Sequence, residues 1–230
     1  MDLHSTIKAD YPSGPVDCRQ CDRLATFLDS IKARYPDYHA QPVEAFGDTK
    51  AKLLIVGLAP GMHGANRTGR PFTGDFAGIL LYRTLYKFGF ASHHESISKQ
   101  DNLQLLNCRI TNAVKCLPPQ NKPSTQEIRQ CNHYLKTEME VFRHGGGRAI
   151  LALGAIAHRA VLQCLDLRLK DFPFAHGAAR SLPNSLPNCA NVCSVKLYDS
   201  YHCSRYNTQT KRLTTGMFEQ VFAQISADLA

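Results

Sequence analysis

Apolar residues gather in four short, dense runs along this chain: 52–58 (KLLIVGL), 107–114 (NCRITNAV), 148–153 (RAILAL) and 191–197 (NVCSVKL). Each has the length of a strand, and their near-continuous apolar character is that of strands covered on both faces. Between the runs the spacing becomes helical. Phe76–Phe88 carries Ile79, Leu80, Tyr82, Leu85 and Tyr86 at helical intervals. Ser124, just after Pro123, opens a further helix with a capping box to Glu127. Ala155–Leu165 and Leu213–Leu229 complete the set, and Pro15–Ala33 is a less regularly patterned helix at the start.

Strands that alternate with helices predict an α/β sheet with helices on both faces. In such sheets ligands sit beyond the carboxyl ends of the strands. Three polar segments follow strands here: the stretch to Asp75 (GLAPGMHGANRTGRPFTGD, 57–75), 112–122 (NAVKCLPPQNK) and 199–212 (DSYHCSRYNTQTKR). They are expected to converge on one crevice. The segment 172–191 is rich in Pro and Asn and reads as a surface excursion.

The chain has 230 residues, the size of one domain, and 1–230 is read as one. Its formal charge of +8 favours a polyanionic partner, usually nucleic acid. A basic but ordinary enzyme is the plainer alternative. The longest apolar run, 149–157, is too short to span a membrane. The opening MDLHSTIKAD has no apolar core of an export signal, so the expected location is the cytoplasm.

That expectation bears on the nine cysteines. In a reducing compartment, ligation of a metal or cluster explains them better than disulfides. Cys18 and Cys21 form a C-x2-C pair. Cys116 and Cys131 lie far apart, with Pro118, Pro119 and Pro123 between them to stiffen the loop that returns Cys131 to Cys116. Four thiolates suit zinc or a [4Fe–4S] cluster. The wide second spacing departs from compact zinc ribbons and favours iron–sulfur; four unrelated buried thiols are the bland alternative. Cys108, Cys164, Cys189, Cys193 and Cys203 are left over, with Cys108 and Cys193 expected to pack in strands.

GLAPGMHGANRTGRPFTGD, NAVKCLPPQNKPS…C, SYHCSRYNTQTKRLT and the early Cys18–Cys21 pair together resemble the family 5 (B-type) iron–sulfur uracil-DNA glycosylases, in order and from about residue 18 to 218. Leu58, where the family 4 enzymes usually carry an acid, favours family 5. The resemblance implies a three-layer α/β/α sandwich around a four-stranded parallel sheet, with a structural [4Fe–4S] cluster. It implies excision of uracil from double- or single-stranded DNA, with tolerance for bases such as hypoxanthine or ethenocytosine. A monomer is expected. The rival of a different class is an iron–sulfur DNA-binding or redox module without glycosylase activity.

Breaking a deoxyribose–uracil bond requires an everted base, charge on the departing pyrimidine and a cation-like sugar. Phe72 is the candidate stacking ring; its plainer role is a core residue. Asn121 is the candidate amide for the uracil edge, with Asn112 as runner-up, though Asn121 also suits a turn. His202 is the candidate donor to the leaving base, in a protonation state the sequence leaves open. Asp75 is the candidate carboxylate near the sugar, and equally an N-cap for the following helix. Gly57, Gly61, Gly64 and Gly69 would admit close backbone approach to the nucleotide. Arg67, Arg70, Arg205, Lys211 and Arg212 are candidates for DNA phosphates, and Arg205 or Tyr206 for the gap left by the everted base. No lysine nucleophile is evident, although Lys115 and Lys122 keep that question open.

Overall fold

The structure is a computed structural model that describes residues 16–183 and 194–230. Its sheet is built from β1 (Phe46–Gly47), β2 (Leu53–Gly57), β3 (Cys108–Asn112), β4 (Ala149–Leu153), β5 (Ala179–Ser181) and β6 (Lys196–Ser200). The order is β1-β3-β2-β4-β6-β5. The expected four-stranded sheet is therefore corrected to a mixed sheet of six strands. β3, β2, β4 and β6 run parallel in its centre, and β1 and β5 pair antiparallel at the two edges. The edge strands, of two and three residues, are too short to show as apolar runs, and β5 falls inside the segment read as a surface excursion.

The near-continuous apolar strands are covered on both sides, as their composition requires. Along β2, Leu53 and Ile55 point into one core and Leu54 and Val56 into the other. The first core is closed by α3 (Phe76–Lys87) and α7 (Thr215–Leu229), through Leu81, Leu85, Phe218 and Phe222. The second is closed by α4 (Thr125–His144) and α5 (Ala155–Cys164), through Leu135, Phe142, Ala157 and Val161. A third, smaller cluster joins α1 (Asp22–Arg34) to Val114, Cys116, Leu117 and Cys131.

Helix starts follow local chemistry closely. Ser124 and Glu127 form the capping box at α4. Asp75 caps α3 by accepting from the Gly78 amide, and Thr214 caps α7 through the Met217 amide. Two expectations shift. The first helix begins at Asp22 rather than at position 15, leaving Cys18 and Cys21 in the turn before it. The last central strand is β6, further along than 191–197; residues 191–193, with Cys193 and also Cys189, lie outside the described residues. β6 is hard to see because Asp199 sits within it. That carboxylate is fully buried and paired with His158 at 2.7 Å and Arg180 at 3.1 Å. Two short helices, α2 (Ala65–Thr68) and α6 (Arg205–Gln209), occupy what read as loops.

β3 and β4 flank β2 on opposite sides. The chain leaves β2 toward β3 on one side and leaves β4 toward β6 on the other, and this divergence between neighbouring strands opens a crevice beyond their carboxyl ends.

Candidate active site

All four parallel strands deliver residues to that crevice. Leu58 follows β2, Asn112 ends β3, Leu153 and Gly154 end β4, and His202 follows β6. With Gly61, Phe72, Asp75 and Asn121 they line a cleft of about 410 Å³. Four of the residues singled out from sequence, Phe72, Asp75, Asn121 and His202, are therefore brought together. Gly57 packs against Phe72 and Asn112. The β4 contribution is one that the sequence reading missed; a glycine at a strand end, here Gly154 with φ of 95°, was the available signal.

Gly57 explains how the floor is packed. A Cβ there would lie 2.4 Å from Asn112 Oδ1 and 2.7 Å from the Phe72 ring. Only a bare backbone lets the amide and the ring approach from either side. Phe72 is itself held in the left-handed region, with φ of 53°, a conformation that persists only where surroundings enforce it. They do so here: Tyr82 Oη donates to Pro71 O at 2.9 Å, and Gly78 packs so tightly that a Cβ would meet Phe72 O at 1.9 Å. The Phe72 ring stacks against His202, with centroids 5.8 Å apart.

Asn112 has the environment of a ligand-reading amide. It is 2% exposed, and its Oδ1 is buried without a protein partner. A buried acceptor left unpaired costs free energy unless something else meets it. Asn121 sits differently, exposed at the rim with φ of 56° after Gln120 at 55°. The backbone strain lies in the turn at Pro119–Asn121, so Asn121 is a turn residue that also lines the cleft.

His202 is poor in protein partners: among the described residues none binds its ring nitrogens, while its carbonyl accepts from Asn207 Nδ2 at 2.8 Å. Burial pushes its pKa down to about 4, so the ring is neutral at pH 7. The two carboxylate oxygens of Asp75 have different surroundings. Oδ1 accepts from the Gly78 amide at 2.9 Å. Oδ2 lies against Gly64, where a Cβ would sit 2.3 Å away. Burial raises the Asp75 pKa, against the opposing pull of the Gly78 and Ala77 amides.

The cations divide. Arg67 is exposed beside the cleft, its Nε donating to His63 O at 2.8 Å. Arg205 and Arg212 are exposed over the rings of Phe76 and Tyr201, and Lys211 is exposed next to them. Tyr206 is 71% exposed. Arg70, expected at the phosphates, is 3% exposed and bound to Thr73, Ser96 and Asp101. It is an internal anchor with no face toward DNA, which corrects that expectation. Lys115 is likewise buried, with Nζ 2.8 Å from both Glu138 oxygens, and so is removed as a nucleophile.

Cys18, Cys21, Cys116 and Cys131 line one small enclosed cavity, walled by Leu24, Ala25 and Val114. The Lys115 amide donates to Cys131 Sγ at 3.3 Å. Burial, and then the neighbouring thiols, raise the Cys116 pKa to about 12. Among the described residues, no three or more His, Cys, Asp or Glu side chains close around a single metal ion. Four cysteine side chains around one small cavity are a donor set of the kind that holds zinc or an iron–sulfur cluster, whose positive charge would offset the cost of placing thiolates together. Of the remaining cysteines, Cys108, Cys164 and Cys203 are buried in the core.

A family model described as the uracil DNA glycosylase superfamily matches residues 44–229. The chain is 43% identical to the Type-5 uracil-DNA glycosylase of Thermus thermophilus, over 90% of this chain and 91% of the relative. It is 37% identical to the Type-5 uracil-DNA glycosylase of Pyrobaculum aerophilum, over 95% and 92%. Similarity to the Type-4 uracil-DNA glycosylase of Archaeoglobus fulgidus is lower, at 31% over 66% of this chain.

Proposed function

Since the chain belongs to the uracil DNA glycosylase superfamily, we propose a division of labour in its cleft for the excision of uracil from DNA. The protein is a uracil-DNA glycosylase of DNA repair, similar over nearly its whole length to Type-5 enzymes. The observation that carries the assignment of roles is the meeting of Phe72, Asn112 and His202 in one cleft at the strand ends, with the Phe72 ring stacked on His202.

An everted uracil enters against Phe72, and the Asn112 amide reads its polar edge, with the unpaired Oδ1 accepting from the base. Asn121 closes over it from the rim. As the glycosidic bond breaks, its electron pair passes to the base, and the neutral His202 imidazole donates a hydrogen bond to the oxygen that gains charge. A fixed donor of this kind contributes about 3–4 kcal/mol in other dry sites. Asp75 faces the cation-like sugar with its second oxygen and guides the water whose oxygen bonds to the anomeric carbon; the proton that this water sheds passes to the Asp75 carboxylate and then to the departed uracil anion. Lys115 is locked to Glu138, which agrees with hydrolysis by water rather than by a covalent lysine. Arg67, Arg205, Lys211 and Arg212 neutralise phosphates, and Arg205 or Tyr206 fills the space left by the base.

Ala59, Ala65, Ala77, Gly154 and Ala155 make much of the cleft wall small. That room supports acceptance of other deaminated or damaged bases, including hypoxanthine and ethenocytosine. Cys18, Cys21, Cys116 and Cys131 are the proposed ligands of a [4Fe–4S] cluster. When bound it supplies a rigid charge-compensated tie between the segment before α1 and the loop after β3. We read the chain as one domain that acts as a monomer.

Incubation with uracil-containing oligonucleotides and alkaline cleavage of abasic sites tests the activity. Strand breaks at G·U, A·U or single-stranded uracil are expected; their absence, with DNA binding intact, would instead favour a binding or redox module. Asn112→Ala is expected to slow excision about 100-fold, the loss of one well-placed polar contact, with little change in DNA affinity.

A further inference from the structure

A second groove, of about 440 Å³, opens beside the cleft, and Asp75 lines both. One wall is the outer side of α3, with Phe76, Ile79 and Arg83; the other is the segment 94–97, with His94, Glu95 and Ile97. Phe76, Ile79 and Ile97 are 41%, 47% and 64% exposed. Such an apolar strip next to a catalytic cleft marks a surface that something covers. Arg67 lines the groove too, and neither it nor Arg83 has a carboxylate partner among the described residues.

The groove is tied to the chemistry by its own scaffold. The Gly74 amide donates to Ser96 O at 3.1 Å, and Thr73 Oγ1 and Ser96 Oγ are 2.7 Å apart. Buried Arg70 donates to Ser96 and Asp101, which fastens the far wall to the loop carrying Phe72 and Asp75. The groove is thus preformed and fixed in place relative to the cleft.

An everted nucleotide stays joined to its neighbours by phosphodiesters, so the strand must leave the cleft past its rim. We infer that this groove binds the nucleotide next to the everted one on the same strand. Arg67 and Arg83 meet its phosphate, and Phe76, Ile79 and Ile97 lie beneath its sugar and base, the combination of cations and apolar platform that holds single strands. Glu95, across from α3, opposes the phosphate and limits the affinity. The inference rests on the uracil-excision reading.

Steady-state excision by the full chain tests it, using Arg83→Ala, Arg83→Glu and Glu95→Gln, with Lys136→Ala on α4 as a control for simple charge loss. Arg83→Ala should raise KM about 5- to 10-fold with kcat within about twofold, and lower the slope of log affinity against log salt by about one, as for one phosphate contact. Arg83→Glu should raise KM further, Glu95→Gln should lower it, and Lys136→Ala should match wild type. Neutral methylphosphonates placed singly on either side of the deoxyuridine should impair wild type most on one side, and that modification should cost Arg83→Ala less than it costs wild type, because only Arg67 then loses a contact. Unchanged KM in Arg83→Glu, or additive losses from the variant and the neutral linkage, would overturn the inference while leaving uracil excision standing. Wild type that excises no uracil would instead strike the functional reading itself.

Discussion

In the proposed mechanism Asp75 joins a structural task to a chemical one. Its first oxygen caps α3 and its second lies toward Gly64 at the cleft. Asparagine caps as well as aspartate does, whereas alanine costs about 1 kcal/mol. Asp75→Asn is therefore expected to keep the melting temperature of wild type and lose most excision, while Asp75→Ala loses both. A fully active Asp75→Asn would reduce this residue to a cap. His202 makes a separate prediction through pH. Its pKa is lowered by burial to about 4, so the ring stays neutral as pH falls from 8 to 6, and kcat should show no break near 6.5. The acid limb should instead come from Asp75, whose raised pKa makes activity fall at a pH above the ordinary carboxylate range. An inflection near 6.5 that disappears in His202→Asn would show that the ring works as an imidazolium.

At the scale of elements, α3 and the loop before it form the most constrained part of the site. Phe72 is kept at a positive φ because Tyr82 holds Pro71 and Gly78 leaves no room for any other course. Arg70 completes the frame, with its guanidinium 4.8 Å from the Phe46 ring centroid and bonded to Asp101. Removing one member of such a buried pair leaves the other uncompensated. Arg70→Leu is thus expected to destabilise the fold by about 3 kcal/mol, as a lower midpoint in urea unfolding. The salt dependence of DNA binding should be unchanged, since this guanidinium touches no phosphate. A reduced salt slope with normal stability would return Arg70 to the DNA interface. The same scale explains what pattern reading missed. α2 and α6 are one-turn elements within polar motifs, and β6 hides behind the buried pairing of Asp199 with His158 and Arg180.

At the scale of the molecule, the cysteine cavity joins parts far apart in sequence. It ties the turn before α1 to the loop after β3 and to α4, close in the chain to Asn112 and Asn121. Buried Lys115 and Glu138 reinforce the same junction. Purified protein is expected to be brown, with iron and sulfide by analysis. Cys116→Ser should bleach it and lower its thermal stability. Colourless wild-type protein carrying stoichiometric zinc would reject the cluster. None of the helices is long and apolar enough to cross a membrane among the described residues, and the charge of +8 suits a protein that works on a polyanion.

Sequence alone determined the alternation of strands and helices, because periodicity and caps are local: the Ser124 box and the Asp75 cap sit where their spacing put them. It also determined the family, through long motifs whose residue types are needed together. It brought Asp75, Phe72 and His202 into candidate roles before any geometry was known. Only the tertiary structure decided between neighbours of the same chemistry. Asn112 and Asn121 are both amides of the segment that begins at the end of β3, yet one is buried with an unpaired oxygen and the other turns the chain at the rim. Arg67 and Arg70 stand three apart in one basic loop, yet one faces out and the other is sealed within the core. The reason is physical: residue type sets what a side chain can do, whereas burial and partners, which come from contacts distant in sequence, set what it is free to do.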